Sequence, residues 1–129
     1  MTDTDKVLEF IKANLDVTPD PDQPGKKVEV YYGTPTMKET GNRISYQLLN
    51  DSATRATTRG REAESSISIS ISIFSAQRVS LGKIATSVMK RMDAIRGQRG
   101  ASVERQDLDP GLWTRIMTYR FTCRDNTIL

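Results

Sequence analysis

An alternating serine–isoleucine segment, Ser65 to Ser75, constrains this chain more than any other part of its sequence. Successive side chains of a β-strand point to opposite faces, so a period of two places the isoleucines on one face and the serines on the other. Isoleucine is rigid at χ1 and packs well on a pleated surface, so its propensity agrees with the period. The pattern predicts a strand with one apolar face. The isoleucines are Ile67, Ile69, Ile71 and Ile73, and the serines are Ser66, Ser68, Ser70 and Ser72.

Two segments with apolar residues at helical spacing can cover the isoleucine face. The first follows Thr4, which we expect to cap it, and ends near Leu15. The second begins at Ser80, also a capping residue, and stops at Gly97, which we expect to be the left-handed residue after the helix. The apolar positions of this second helix are Leu81, Ile84, Ala85, Val88, Met92 and Ile95.

Further strands are predicted at residues 28–32, 43–49, 103–106 and 113–123, which gives the order α-β-β-β-α-β-β. This order predicts an α+β fold with a single, mostly antiparallel sheet of four to five strands and two helices packed on one face. We expect residues 1–129 to form one domain. The expected core anchors are Ile67, Ile69, Ile71, Ile73, Ile84, Val88, Trp113, Tyr119 and Phe121.

A polar excursion, residues 50–64, contains no apolar residue larger than alanine. Its arginines, Arg55, Arg59 and Arg61, are balanced by three acidic residues. The flanking strands can extend through it as a solvated hairpin arm, or it can be a mobile loop. A segment of this length in a compact domain usually carries a function or is disordered.

The low apolar content suggests either long solvated loops or a surface that is buried only on assembly. Hydrophobic residues make up only 36% of the chain, and the net charge of +3 is far below that of a dedicated nucleic-acid binder. The lone Cys123 fits a reducing cytosol. No signal peptide and no apolar run of membrane-spanning length is present, so we expect a soluble protein made in a cytoplasm.

The sequence offers little for catalysis. Histidine is absent, a single cysteine excludes the usual structural zinc sites, and no phosphate loop, nucleophile elbow or calcium-loop spacing occurs. We interpret the pair Asp20 and Asp22, and the pair Asp107 and Asp109, as solvated turn residues. We therefore expect no enzymatic activity, no catalytic or metal-binding residue and no cofactor.

Two groups of residues are candidates for binding a partner. The first is basic, and it is either the solvated face of an amphipathic helix or a contact for a phosphate backbone or an acidic subunit. It comprises Lys83, Lys90, Arg91, Arg96 and Arg99. The second is the serine row with the arginines of the excursion, and it is either an exposed sheet face or a subunit interface. A face of small side chains lets another backbone approach closely.

Several segments together resemble the tail terminator (tail completion) proteins of long-tailed bacteriophages. A strand pair around "RISYQLL" is followed by a polar excursion and by "SISISIFS", which leads directly into the helix "SLGKIATSVMKRMDAI". Residues 107–123, "DLDPGLWTRIMTYRFTC", are similar to the acidic turn, Gly-Leu-Trp and final strand of the lambda-type terminator. The order of elements matches along much of the chain.

The resemblance implies a structural protein of the virion, located at the junction of tail and neck after synthesis in the bacterial host cytoplasm. Such proteins form a hexameric ring that caps the last ring of tail-tube protein, stops polymerisation and presents a docking surface to the head connector. Genomic DNA passes through the lumen without sequence recognition, and no membrane is involved. The alternatives are a head-completion or neck protein, and a nucleic-acid-binding adaptor that uses the basic face of the second helix.

Overall fold

The computed structural model describes residues 3–33, 41–56, 62–106, 111–124 and 127–128. These residues form two helices and six strands. The helices are α1 (Asp3–Leu15) and α2 (Arg78–Ala94). The strands are β1 (Glu29–Tyr32), β2 (Arg43–Ala56), β3 (Glu62–Ser75), β4 (Gln98–Gln106), β5 (Trp113–Arg124) and β6 (Thr127–Ile128).

All strands belong to one sheet with the order β1-β2-β3-β5-β4, and β6 pairs with the end of β5. The β1–β2 pair is parallel, and every other pair is antiparallel. The predicted α+β class and element order are confirmed. The strand β4 starts at Gln98, earlier than predicted, and all nine of its residues are exposed.

The core lies between the sheet and the two helices, with β3 at its centre. The isoleucines of β3 are fully buried, and β5 contributes Tyr119 and Phe121, which are fully buried as well. From α2, Ile84 and Val88 pack onto the same cluster, and Trp113 is partly buried at its margin. The isoleucine face is thus the covered face, because between Ile67 and Ile73 the alternation of β3 places only isoleucines on it. The four isoleucines are Ile67, Ile69, Ile71 and Ile73.

The polar excursion is built on a hairpin. The strands β2 and β3 continue into it and remain paired as far as Ala56 and Glu62, with register shifts after Leu48 and on either side of Arg55. The backbone of Arg55 pairs with that of Glu64. Arg59 and Arg61 lie outside the described residues.

Both ends of α2 differ from the sequence expectation. The helix begins after Gln77, whose side chain makes no capping hydrogen bond, so Ser80 lies inside the first turn. At the other end, Arg96 has φ 66° and is the left-handed residue that we expected Gly97 to be. The amide of Arg96 donates to the carbonyl of Asp93 (3.1 Å), and that of Gly97 to the carbonyl of Met92 (2.8 Å). This is a Schellman motif with arginine at C′.

Gly97 is required for a different reason. A Cβ atom at this position would lie 2.9 Å from Cζ of Phe121 and 3.1 Å from Cδ1 of Tyr119. Both rings are fully buried, so they cannot move aside without opening the core. The absence of a side chain at residue 97 therefore lets the chain enter β4 directly over the two aromatic rings.

Small side chains at residues 96 and 97 have different predicted effects on the free energy of unfolding. Arg96→Gly should be more stable to unfolding than Arg96→Ala by about 1 kcal/mol, because both variants remove the charge and only glycine removes the cost of positive φ. Gly97→Ala should lower the free energy of unfolding by about 1–3 kcal/mol through overpacking. Urea denaturation of the three variants measures both effects. Equal stability of the two residue-96 variants would contradict the assignment of Arg96 as the C′ residue.

Candidate assembly surfaces

The face of the sheet opposite the helices carries the serine row at its centre. Ser68 lies between Asn50 of β2 and Arg120 of β5, and Ser70 lies between Gln47 and Thr118. Serine is shorter than Gln47, Asn50 and Arg120, so we expect the middle of the row to lie lower than its flanks, whereas Ser66 and Ser72 pair with serines on β2. We call this row the serine trough, and it comprises Ser66, Ser68, Ser70 and Ser72.

The chemistry of the serine trough is that of a polar contact surface. Serine hydroxyls both donate and accept hydrogen bonds, so they can satisfy the amide and carbonyl groups of another polypeptide. Three of the four serines are half-buried, and Ser70 is 8% exposed. The side chains that border Ser68 and Ser70 include a single charge, on Arg120. The trough therefore suits a close approach by neutral backbone better than the binding of phosphates.

One end of this open face is closed by an arginine. Arg43 is only 2% exposed, and its guanidinium carbon lies 5.3 Å from the centre of the Phe74 ring, within the range of a cation–π contact. Next to it, the hydroxyl of Ser45 donates to the carbonyl of Gly33, and Thr114 is buried. Sequence analysis missed this cluster, because its members come from four segments.

The predicted basic face is not a single patch. Lys83 and Lys90 are exposed on α2, whereas Arg91 extends to α1 and its Nη1 donates to the carbonyl of Asn14 at 3.3 Å. Arg99, on β4, contacts the sulfur of Met89. Arg96 is exposed beyond the end of the helix. The five residues thus point in several directions, and one of them is used inside the fold.

A polar lock joins the proline-rich loop to both ends of the β3–α2 connection. Asn42 Nδ2 donates to Asp20 Oδ1 (2.8 Å) and Asp22 Oδ2 (2.7 Å), and its Oδ1 accepts from Ser75 (2.6 Å). Ser80 Oγ donates to Asp22 Oδ1 at 2.7 Å. Asp20 and Asp22 are thus more than solvated turn residues. Sequence reasoning could not find the lock, since its partners are distant in sequence.

The lock places a carboxylate at the start of α2. The hydrogen bonds from Ser80 and then Asn42 lower the pKa of Asp22 below its usual value of 3.8, and the charge of Lys83 acts in the same direction against a small desolvation effect. A negative charge near a helix N-terminus is favourable, and α2 has no acidic residue in its own first turn. Asp22 supplies that charge from another segment.

Other site types are not found in the described part of the chain. Its acidic and cysteine side chains form no group that can hold a metal ion. Cys123 is buried at 1% exposure. None of the described helices is long and apolar enough to span a membrane.

The fold has similar chains among solved structures. No protein-family model matches the chain, and neither does any curated protein. The chain is similar to one in a solved structure described as "Virion of native gene transfer agent (GTA) particle". The two share 15% identity with a TM-score of 0.47, over 85% of this chain and 81% of that one.

The lock predicts a specific pH dependence. A group whose pKa is depressed by folding stabilises the folded state above its unfolded pKa, and this stabilisation is lost as the pH falls through the folded value. Asp22→Asn should therefore be less stable than wild type at pH 7, and the difference should shrink below about pH 4. Thermal melts from pH 7 to pH 2.5 measure this. Ser80→Ala, which removes the first donor, should behave similarly; a pH-independent difference for both variants would contradict the lock.

Proposed function

We propose that this protein is a structural component of a tailed-phage-like virion. In this role, copies of the chain form a ring on the end of the tail tube, stop its polymerisation and join the tail to the head connector at the neck. Its partners are further copies of itself, the tail-tube protein and a head-completion protein, and DNA crosses the lumen without sequence-specific contacts. The proposed role is one of assembly, without catalysis.

The observation that carries the proposal is the serine trough on the open face of the sheet. An antiparallel sheet can face water on one side, but such a face usually carries longer polar side chains. Here the central strand presents four serines in a row, which leaves room for a neighbouring subunit. A ring needs such surfaces, because each subunit contacts two neighbours through different patches.

The Gly-Leu-Trp segment has a structural role that fits the resemblance. Leu112 is buried, and Trp113 pairs with Ser75 at the point where β3 ends. The guanidinium carbon of Arg78 lies 5.5 Å from the centre of the tryptophan ring. The segment therefore fixes the start of β5 against the β3–α2 junction, which is the other segment that carries the resemblance.

The geometry favours this proposal over a nucleic-acid adaptor. An adaptor that uses the second helix needs its cations on one surface, so that they neutralise adjacent phosphates. Here Arg91 is used to hold α1, and Arg99 lies on β4. Of the five predicted basic residues, only Lys83 and Lys90 remain on the outer side of α2, and Arg78, a further exposed cation of this helix, pairs with Glu104.

A substitution in the trough tests the proposal. Ser68→Arg places a long cation beside Arg120, and we expect the variant to fold but to lose the oligomer and the ability to limit tube length. Native mass spectrometry measures the oligomer, and electron microscopy of polymerising tube protein measures tube length. Thr86→Arg, an equal change on the exposed side of α2, is the control and should behave like wild type. Unchanged oligomer mass and tube length for Ser68→Arg would contradict a role for the trough.

A further inference from the structure

The small net charge of the chain hides a strong asymmetry. Residues 3–33 contain seven acidic side chains and four lysines, whereas residues 76–106 contain seven basic side chains and two acidic ones. The first segment forms α1 and β1, and the second forms α2 and β4. Opposite charges therefore concentrate in different parts of the fold.

The sheet order places these segments at opposite edges. The outermost strands are β1 and β4, each paired with one neighbour along this order. The strand β4 is exposed along its whole length, and its charged side chains and the register shift between Arg99 and Ser102 protect a lone edge from non-specific pairing. In the described part of the chain, no further strand pairs with the outer side of β1 or of β4.

The β1 edge carries an acidic groove with an aromatic wall. The groove lies between α1 and the edge of the sheet, and Tyr32 is 58% exposed within it. Its one lysine, Lys12, is already held by Asp16 at 2.8 Å. Carboxylates next to an exposed aromatic ring suit an arginine, which forms ion pairs and stacks on rings. The groove is lined by Asp5, Leu8, Glu9, Lys12, Tyr32 and Tyr46.

The β4 edge carries arginines on both of its faces. Arg99 is opposite Tyr119 and contacts α2, so it lies on the helix side of the sheet. Arg105 is opposite Thr114, which lies on the open side. The β1 edge has acidic residues on both faces. Glu9 lies on the helix side. Val30 packs against the core, so its neighbour Glu29 lies on the opposite face of the sheet.

We propose that β4 of one copy pairs antiparallel with β1 of the next copy, with Arg99 at the acidic groove and Arg105 near Glu29. The relative direction of β4 and β1 follows from the strand pairings within the sheet. Because β1 and β2 are parallel and β2, β3, β5 and β4 alternate, β4 runs opposite to β1. A neighbour in the same orientation therefore presents β1 antiparallel to β4, the more stable pairing geometry. In this arrangement the helices of both copies lie on one side of the extended sheet, and their open faces lie on the other.

This contact rests on the proposed function and is a second subunit contact, separate from the serine trough. Because the two edges are at opposite ends of the sheet, one pair of copies cannot use both contacts at once. Head-to-tail contacts of this kind generate rings when the rotation closes.

Charge reversal of one edge at a time tests the inference. The basic-edge variant carries Arg99→Glu and Arg105→Glu, and the acidic-edge variant carries Glu9→Lys and Glu29→Lys. Each variant alone has two edges of like charge, so self-association should weaken by about a hundredfold or more. An equimolar mixture should assemble again, with the two variants alternating. Native mass spectrometry measures the composition, and Lys83→Glu with Lys90→Glu is the matched control that should assemble as wild type does.

The outcomes separate this contact from the proposed function. Rescue in the mixture supports the edge pairing and also shows that both variants fold. Normal assembly by each variant alone, or no assembly in the mixture, overturns the edge pairing. The proposed function still stands in that case if wild type limits tube length. If wild type assembles through complementary edges but does not limit tube length, the proposed function is overturned and the edge pairing stands. Loss of DNA binding by the basic-edge variant with unchanged oligomer mass assigns that edge to nucleic acid and overturns the pairing.

Discussion

Burial of the isoleucine row under the two helices is the interaction on which the rest of the structure depends. Each of the four side chains is fully buried, which is worth about 1.5–3 kcal/mol per residue. Because the period of the strand is two, the same residues that fill the core force the serines between them onto the opposite face. The core and the serine trough are thus two results of one pattern. A shift of the strand register by one residue would move the isoleucines to the open face and the serines into the core.

The helices that cover this row are positioned by contacts from distant segments. Asp22 and Asn42 hold the start of α2, and Arg91 reaches the last turn of α1. At its end, α2 is stopped by hydrogen bonds to its own carbonyls, and the close approach of Gly97 to Phe121 directs the chain into the edge strand. The charged edges of the sheet are therefore fixed relative to the core by polar groups as well as by packing.

Sequence periodicity predicted the elements whose stability comes from an apolar face. The order of helices and strands, the covered side of β3 and the covering role of α2 follow from the spacing of isoleucine, valine and leucine. Periodicity could not predict the extension of β2 through residues 50–56, because these residues have no apolar period and their strand is defined by backbone pairing with β3. Nor could it show that Arg91 is bound to α1, since a helical wheel carries no information on neighbouring helices. The parallel β1–β2 pair and the polar lock likewise depend on long-range contacts.

The position of β3 in the sheet has a consequence for the order of events during synthesis. Its neighbour β2 precedes it directly, but its other neighbour, β5, is made only after α2 and β4. Until then the alternating segment Ser65 to Ser75 of β3 has an open edge, and it combines high β-propensity with no proline and no charge, which is the signature of a segment that stacks with other copies of itself. Glu62 and Glu64 precede it, and Arg78 follows it. These flanking charges act as gatekeepers, which keep nascent chains apart until β5 completes the sheet.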